Sequence, residues 1–275
     1  MKTLGIIGYG SIARTLLAIL RAQLAEPLAA IHVLTKADYS KKTKAALLVD
    51  SIDVADYAQI HIHSDSFFGC NPDLVIECAG HGAVQEYATL SLLKGIETIV
   101  TSVGSLTDVS LYTELIEAAD KGRTHLVLPA GAVGGIDVLA GASMSGVRSV
   151  IYSARKPPLA WKNTPAEDVL SLEHLMDPAV FYEGNAREAA RDYPKNANVA
   201  ATIALASAGF EKTRVRLIAD PNVTNNVHEY EVTSEAANVF IRIEGRPSPT
   251  NAKTSLPTAY SLAREVINRV STVTI

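Results

Sequence analysis

The sequence predicts an α/β protein in which an N-terminal doubly wound parallel sheet is followed by a second α+β domain with a mixed or antiparallel sheet. Up to about residue 130, short apolar runs alternate with segments of helical periodicity, as in a parallel sheet with helices on both faces. Beyond that point, the alternating segments VRLIAD, HEYEV and VFIRIE indicate an antiparallel component. We therefore expect one domain from residues 1–130 with 256–275 and a second from residues 131–255.

The individual elements follow from the spacing of apolar residues. Thr3–Ile7 is an apolar run that ends at a glycine, and residues 11–22 place Ile12, Leu16 and Leu20 at helical spacing. Further strands are predicted at residues 29–34, 59–63 and 74–77 and in ETIVTSV and HLVLPAG, with helices at 83–93 and 111–121. A terminal helix is predicted from one apolar face: Ala259, Leu262, Ala263, Val266, Ile267 and Val270.

Composition narrows the class of ligand. The chain of 275 residues is 48% hydrophobic, enough for the cores of two domains. A net charge of −4 leaves no basic excess for a nucleic-acid backbone, so we expect a small-molecule ligand. We also expect a cytoplasmic protein without a membrane segment, because the sequence shows no signal-peptide pattern, no apolar run of bilayer length and only two cysteines, Cys70 and Cys78.

The first strand runs directly into GYGSIA, a glycine-rich turn that opens the first helix. Gly8 permits the tight turn, Gly10 lets the backbone approach a pyrophosphate, and Ala13 allows close packing of helix on strand. Backbone N–H groups at Ser11 and Ile12 would face the anion. This pattern, in this position, predicts a Rossmann domain that binds NAD or NADP. A glycine turn without a ligand is the alternative.

The end of the second predicted strand bears on the choice between the two cofactors. NAD-specific domains usually place an acidic residue there, but this chain has Thr35 and Lys36, with Asp38 two positions late. Thr35 could hydrogen-bond and Lys36 could neutralise a ribose 2′-phosphate, so we predict that NADP is accepted as well as NAD. An ordinary solvated Lys36 is the alternative.

Two later strands end in ECAGH and TSVGS, at the carboxyl edge of the same sheet, where ligands bind in open α/β folds. We therefore predict that Cys78, Ala79 and Ser102 belong to the wall of the cofactor site. Cys78 has no evident activating partner in the sequence, so we assign it contact with the cofactor and not nucleophilic chemistry.

Five segments follow in a specific order in the second half of the chain: PAGAVGGIDVLAGAS, SARKPPLAW, YPKNANVAATIALASAGF, DPNVTNNVHEYEV and PSPTNAKTS. Together with the glycine loop, they make essentially the whole chain resemble the L-aspartate dehydrogenase family. The resemblance implies a homodimer and the oxidative deamination of L-aspartate with NAD or NADP, by way of iminosuccinate, to oxaloacetate and ammonium.

The resemblance also implies roles for three residues. His228 in DPNVTNNVHE matches the catalytic histidine, and Ala132 and Asn198 match two cofactor contacts. From the residues alone, His228 could be a strand-edge histidine without a role, Asn198 a helix cap and Ala132 part of a tight crossover. An imidazole of ordinary pKa near about 6.5 would suit a general base acting on the substrate ammonium or on attacking water.

Both carboxylates of L-aspartate need hydrogen-bond donors. Lys253 with Asn251 and Thr254 in NAKTS, or Lys195 beside Asn198, could supply them. Lysines on a solvated loop are the alternative interpretation.

The second domain is also expected to carry the homodimer interface. Val239, Ile241 and Ile243 alternate along one predicted strand and would expose an apolar face. The terminal helix could cover that face instead.

His61 and His63 share one face of a predicted strand in IHIHSD, a spacing that could hold a metal ion. Third and fourth ligands are not apparent, so we expect no metal and interpret the pair as an exposed strand edge.

The sequence leaves two other functions open. One is another two-domain dehydrogenase or reductase, resembling homoserine dehydrogenase or dihydrodipicolinate reductase. The other is a dinucleotide-binding sensor without catalysis.

Overall fold

The structure is a computed structural model that describes residues 1–248 and 251–274; the side chains at positions 195, 247–248 and 251–254 are not described. The chain forms two compact units, Met1–Pro129 with Thr258–Ile275 and Ala130–Pro257. Within the described residues, no helix has the length and apolar character that crossing a bilayer requires.

The first unit contains a six-stranded sheet in which every pair of neighbouring strands is parallel. In chain order the strands are β1 (Thr3–Ile7), β2 (Leu28–Leu34), β3 (Ala55–His61), β4 (Leu74–Glu77), β5 (Glu97–Val100) and β6 (Leu126–Val127). The helices are α1 (Ser11–Gln23), α2 (Ser40–Asp50), α3 (Ser64–Phe68), α4 (His81–Ala83), α5 (Thr89–Leu93) and α6 (Val109–Gly122), with a π-helical turn, Val84–Ala88, between α4 and α5. The spatial order β3-β2-β1-β4-β5-β6 reverses direction between β1 and β4, which confirms the predicted doubly wound sheet.

Both faces of this sheet are covered, and its central strands are therefore almost uniformly apolar. In β1, Leu4 and Ile6 belong to the core that includes Leu16 of α1. Ile7 points to the other face, where it packs in a second cluster with Phe67 of α3. The two clusters fix the carboxyl end of β1, where the glycine turn begins.

The strand β3 starts four residues before its predicted position and ends at His61. It is an edge strand, and all of its residues from Ala55 to Ile60 are exposed or half-buried. Apolar spacing identifies edge strands poorly because one side of the strand faces water. His63 lies beyond the strand, at the N-cap position of α3.

The second unit contains a five-stranded mixed sheet. Its strands are β7 (Val147–Lys156), β8 (Ala179–Asn185), β9 (Thr213–Ala219), β10 (Asn226–Ser234) and β11 (Asn238–Gly245), in the spatial order β11-β10-β7-β9-β8. Only β7 and β9 are parallel neighbours in this sheet. The strands β12 (Pro247–Ser248) and β13 (Asn251–Ser255) form a separate antiparallel pair, and the helices are α7 (Ile136–Ser143), α8 (Ala186–Asp192) and α9 (Ala197–Leu205). The predicted second domain with a mixed sheet is confirmed.

The apolar face of β11 is covered in part within its own unit. Ile243 and Ile241 reach the turn that precedes α7, with Ile243 Cδ1 3.3 Å from the position a Cβ would take on Gly134. The Tyr230 hydroxyl of β10 donates to Gly134 O at 2.7 Å and fastens the same turn. As a result, Ile241 and Ile243 are half-buried.

The last helix, α10 (Leu256–Asn268), returns the chain to the first unit. Its buried residues Ala259, Leu262, Ala263 and Val266 belong to the same core as β1 and α1. Arg269, just after the helix, forms an ion pair with Glu97 of β5 at 2.6 Å.

Candidate active site

A cavity of about 710 Å³ lies at the carboxyl ends of β1, β2 and β4 in the first unit. Gly8 makes the turn after β1 with φ +85°, and its N–H donates to Leu34 O at 2.8 Å. A Cβ on Gly8 would lie 2.6 Å from Ala79 Cβ, whereas a Cβ on Gly10, the N-cap of α1, would meet nothing within 4 Å. The protein thus leaves open space at the start of α1, where helix N–H groups bind anions.

Six of the predicted cofactor residues line this cavity: Gly8, Gly10, Thr35, Lys36, Cys78 and Ala79. Ser11 and Ile12 form the first turn of α1. The Ile12 side chain packs against the core of the unit, so its backbone N–H is the group it can offer to a ligand.

Ser102 supports the wall of the cavity instead of lining it. It is buried, and both its N–H (3.0 Å) and its hydroxyl (3.1 Å) donate to the carboxylate of Glu77 at the end of β4. The same carboxylate accepts from Ala79 N and Gly80 N, each at 2.7 Å. Glu77 therefore fixes the backbone after β4. Burial raises the pKa of the neighbouring Cys78 thiol, which keeps it protonated, as a contact residue requires.

The wall of the cavity next to the end of β2 carries more positive charge than the predicted residues Thr35 and Lys36 alone would give it. Lys42 of α2 and Arg14 of α1 line it together with Lys36, while Glu86 adds one negative charge. Arg14 is paired with Asp50 at 2.7 Å, which leaves the two lysines as the main sources of positive charge. Lys42 was not predicted because its position beside the end of β2 depends on how α2 packs in the folded unit.

His228 lies near the start of β10, the strand between the edge strand β11 and β7, and is buried. Its Nδ1 is 2.8 Å from the hydroxyl of Tyr152 on β7, and the two rings are stacked. Burial, reinforced by the charge of Lys156, lowers the pKa of His228 to about 4. The ordinary pKa expected from the sequence is therefore wrong for His228, because the burial of the ring is a property of the fold. At neutral pH the imidazole is uncharged.

Lys156, the last residue of β7, was not predicted to be functional. Its ammonium donates to the side-chain oxygen of Asn196 and lies 4.8 Å from the centre of the Trp161 ring. Burial lowers the pKa of Lys156 to about 8. Neither of these two contacts of Lys156 is with an acidic side chain. A partly desolvated ammonium of this kind is suited to bind an anionic ligand.

Strand register brings His228, Tyr152 and Lys156 together. His228 pairs with Ala154 of β7, so Tyr152 and Lys156 are its two diagonal neighbours on the same face. The buried residues Val150, Tyr152 and Ala154 already show that the even-numbered positions of β7 face inward. The same alternation, continued through SARKPP, could have placed Lys156 on the same face of β7 as Tyr152.

Ala132 and Asn198 also lie in the second unit. Ala132 is buried in the segment before α7, and Asn198 is an exposed residue inside the first turn of α9. The N-cap of α9 is Asn196, so the interpretation of Asn198 as a cap is wrong. Their assignment as cofactor contacts stays a prediction.

The predicted substrate contacts Asn251, Lys253 and Thr254 belong to β13, but their side chains lie outside the described residues. The same holds for the side chain of Lys195, the alternative donor. Their roles stay predictions.

The histidines of IHIHSD do not form the exposed pair that the sequence suggested. His63 is exposed, but His61 is buried and contacts His32 of β2 and Cys70. The interpretation of His61 as part of an exposed edge was wrong because α3 folds over this end of β3, with Phe67 against the His61 ring.

Two family models divide the chain between them. The model "Homoserine dehydrogenase, NAD binding domain" matches residues 8–129, and "Aspartate dehydrogenase, C-terminal" matches residues 137–269. An L-aspartate dehydrogenase of Cupriavidus taiwanensis is 39% identical over 275 residues, which cover 100% of both chains. The chain belongs to the L-aspartate dehydrogenase family. Another member of this family, from Ralstonia pickettii, is 45% identical over 78% of this chain and 79% of its own.

Solved structures agree with the family assignment. The aspartate dehydrogenase of Thermotoga maritima matches 100% of this chain and 99% of its own with a TM-score of 0.75 and 26% identity. A dihydrodipicolinate reductase from Paenisporosarcina has a TM-score of 0.51 at 13% identity and so shares the fold alone. The predicted family, the nicotinamide cofactor and the oxidoreductase class are confirmed.

Proposed function

We propose that this member of the family oxidises L-aspartate with NAD⁺ or NADP⁺ and water to oxaloacetate, ammonium and the reduced cofactor, by way of iminosuccinate. The observation that carries the proposal is the group formed by the buried His228 and Tyr152 and the half-buried Lys156, which combines a neutral base with a cation for a carboxylate. This group lies inside the region that matches the aspartate dehydrogenase model.

The first unit fits a dinucleotide. The cavity at the start of α1 needs glycine at position 8, leaves the space at Gly10 open, and is large enough for part of a nicotinamide dinucleotide. Residues 8–12 would hold the pyrophosphate, and Thr35 with Lys36 and Lys42 would hold the ribose and any 2′-phosphate. When bound, the cofactor supplies the hydride acceptor.

Lys156 is proposed to bind one carboxylate of the substrate. Its ammonium carries a charge below pH about 8 and is oriented by Asn196 and Trp161. A charged hydrogen bond in a desolvated place contributes more to affinity than the same pair in water. An amino acid without a second carboxylate would leave one of the enzyme's donors unsatisfied.

His228 is proposed to accept the proton that the reaction releases, from the substrate ammonium or from the water that attacks the imine. For Nε2 to accept it, Nδ1 must carry the ring hydrogen and donate to the Tyr152 hydroxyl, 2.8 Å away. A bound dicarboxylate adds negative charge beside the ring and raises the pKa of His228 again. The base is therefore stronger with substrate bound than in the free enzyme.

The proposal is tested by following reduced-nicotinamide absorbance with L-aspartate, D-aspartate, L-glutamate and L-homoserine, and in reverse with oxaloacetate and ammonium. L-Aspartate should give the highest kcat/KM. A higher kcat/KM for L-homoserine would move the chain to a different substrate class, and cofactor binding without turnover of any of the four would support the non-catalytic sensor.

We also propose that the protein is a cytoplasmic homodimer. Cys70 and Cys78 are both free thiols, as expected in a reducing compartment. The edge strand β11 exposes Phe240, which is 61% accessible, and so offers apolar surface to a second copy. Light scattering should give the mass of two chains, and cell fractionation should recover the enzyme with cytoplasmic markers. A mass of one chain at micromolar concentration would exclude the dimer.

A further inference from the structure

Two histidines and a cysteine meet in the first unit, at the neighbouring strands β2 and β3 and the segment after α3. His32 lies in β2, His61 ends β3, and Cys70 follows α3. His32 Nδ1 is 3.0 Å from His61 Nε2, and Cys70 Sγ is 3.8 Å from the same Nε2 atom. The three atoms all lie within 4.8 Å of one another, so three groups that bind transition metals surround one point.

The spacing of these atoms is close to that of a zinc site. Tetrahedral zinc has Zn–N bonds of about 2.0–2.1 Å and Zn–S bonds of about 2.3 Å, which place two nitrogens about 3.3 Å apart and a nitrogen and a sulfur about 3.6 Å apart. Two of the three observed separations differ from these values by no more than about 0.3 Å. The third, between His32 Nδ1 and Cys70 Sγ, lies within 4.8 Å, so a side-chain rotation that brings these two atoms closer would admit the ion.

The hydrogen bonds around His61 select the tautomer that a metal ligand needs. The Ser66 hydroxyl donates to His63 O at 2.9 Å, so it must accept from His61 Nδ1, which is 3.2 Å away. The ring hydrogen is then on Nδ1, and the Nε2 lone pair faces His32 and Cys70. Neutral imidazole with its outer nitrogen bonded to a fixed acceptor is the usual form of a histidine ligand.

The donor set favours zinc over the hard cations. Two imidazoles and a thiolate are poor ligands for magnesium or calcium and good ones for zinc. Among the described residues, no fourth histidine, cysteine or acidic side chain joins the group, so a water would complete the tetrahedron. Cys70 is half-buried and Ser66 is exposed, which gives the ion a route from solvent.

We propose that His32, His61 and Cys70 form a zinc site separate from the reacting groups of the enzyme. Binding converts the Cys70 thiol to a thiolate and releases its proton to solvent. Without the ion, His32 Nδ1 donates its hydrogen to His61 Nε2; on binding, His32 loses this proton to solvent and takes one up on Nε2, which leaves the ring neutral and Nδ1 free for the ion. The site also adjoins the cofactor cavity, because His61 O accepts from Thr35 N at 2.9 Å and Thr35 lines that cavity. An ion there would fasten the ends of β2, β3 and α3 to one another.

The test uses the untagged, metal-free, reduced enzyme and Co²⁺ as a spectroscopic probe. We expect one equivalent of Co²⁺ to produce a sulfur-to-cobalt charge-transfer band in the near ultraviolet, and one equivalent of Zn²⁺ to remove it. Cys70→Ser should abolish the band, and Ser66→Ala should weaken Co²⁺ binding about 10- to 100-fold, the usual effect of losing a partner of a ligand. His63→Gln, a neighbouring exposed histidine, is the matched control and should bind Co²⁺ like the wild type.

A second measurement needs no variant. Zn²⁺ should slow alkylation of Cys70 in the wild-type enzyme, as read by peptide mass spectrometry, and should raise its Tm. A wild-type protein without the sulfur band, a band that persists in Cys70→Ser, or alkylation of Cys70 at the same rate with and without Zn²⁺ would each overturn the proposal. Loss of aspartate turnover would not, because the readouts do not depend on activity.

Discussion

The candidate sites of the two units differ in what forms them: mainly backbone in the first unit and side chains in the second. In the first, the site is a shape of the backbone: Gly8 turns the chain, Gly10 leaves space, and the start of α1 presents N–H groups. In the second, it is a group of three side chains that strand pairing brings together: His228, Tyr152 and Lys156. A site formed by the backbone can be recognised locally in the sequence, from the spacing of its glycines. A site formed by side chains on two paired strands can be recognised only from the pairing of strands that are far apart along the chain.

The two regions also differ in their electrostatics. The lysines of the first unit's cavity, Lys36 and Lys42, are exposed, and their charges are screened by water and salt. His228 and Lys156 are enclosed, and burial shifts both of their pKa values toward the neutral form. Substitutions in the second unit should therefore change chemistry and pH dependence, and those in the first should change cofactor affinity.

The largest effect is expected from His228→Ala. Loss of a positioned general base should lower kcat by about 10²- to 10⁴-fold and leave the Kd of the cofactor nearly unchanged. In the wild type, kcat/KM should fall as the pH drops through about 4, where the free imidazole becomes protonated and cannot accept a proton. The acid limb of kcat should lie at higher pH, because bound substrate raises the pKa of His228, and this limb should disappear in the variant.

Stopped-flow or steady-state profiles over pH, with cofactor titrations by fluorescence, make these measurements. His63→Gln provides an exposed histidine for comparison and should keep the wild-type kcat. If the main defect of His228→Ala is a loss of cofactor affinity, the assignment of chemistry to the second unit and of cofactor binding to the first is wrong.

Lys156→Met should raise the KM for L-aspartate about 10- to 100-fold, because a charged donor to a carboxylate is lost from a desolvated place. Succinate, a dicarboxylate without an amine, isolates the binding step. Its Ki as a competitive inhibitor should rise above pH about 8, since the Lys156 ammonium loses its charge as the pH rises through its pKa. In Lys156→Arg, whose guanidinium stays charged, this alkaline rise should be absent. An identical alkaline rise in wild type and Lys156→Met would show that another group binds the carboxylate.

Gly8→Ala and Gly10→Ala separate two reasons for glycine in one loop. Alanine at position 8 is strained by the positive φ and lies 2.6 Å from Ala79 Cβ, so it should lower the Tm and weaken cofactor binding about 10-fold or more. Alanine at position 10 meets no protein atom within 4 Å, so its Tm should equal that of the wild type while cofactor affinity still falls. Calorimetry with and without cofactor measures both. Unchanged affinity in Gly10→Ala would mean that the pyrophosphate does not approach this residue.

The same contrast explains what the sequence could predict. The parallel sheet, the mixed sheet and the glycine turn follow from local periodicity and spacing, and α10 from the apolar face of Ala259, Leu262 and Val266. Lys156 was missed because its environment depends on the register between β7 and β10, and the low pKa of His228 because burial depends on the whole unit. The partners of His61 come from a neighbouring strand and from the segment after α3, so its sequence neighbour His63 was the wrong partner to consider.

The smallest effect concerns the choice of cofactor and tests how much exposed charge contributes in the first unit. Lys36→Ala and Lys42→Ala should each raise the Kd for NADP⁺ about 3- to 10-fold and leave that for NAD⁺ nearly unchanged, because only NADP⁺ carries a 2′-phosphate. Lys41→Ala removes an exposed lysine of α2 that does not line the cavity, and so controls for net charge. The difference between Lys36→Ala and Lys41→Ala should shrink as salt is added, since the lysine and the phosphate are both exposed. If the enzyme strongly prefers NAD⁺ and Lys36→Ala does not alter this preference, Lys36 is an ordinary surface lysine. The missing acidic residue at the end of β2 then does not indicate that NADP⁺ is accepted.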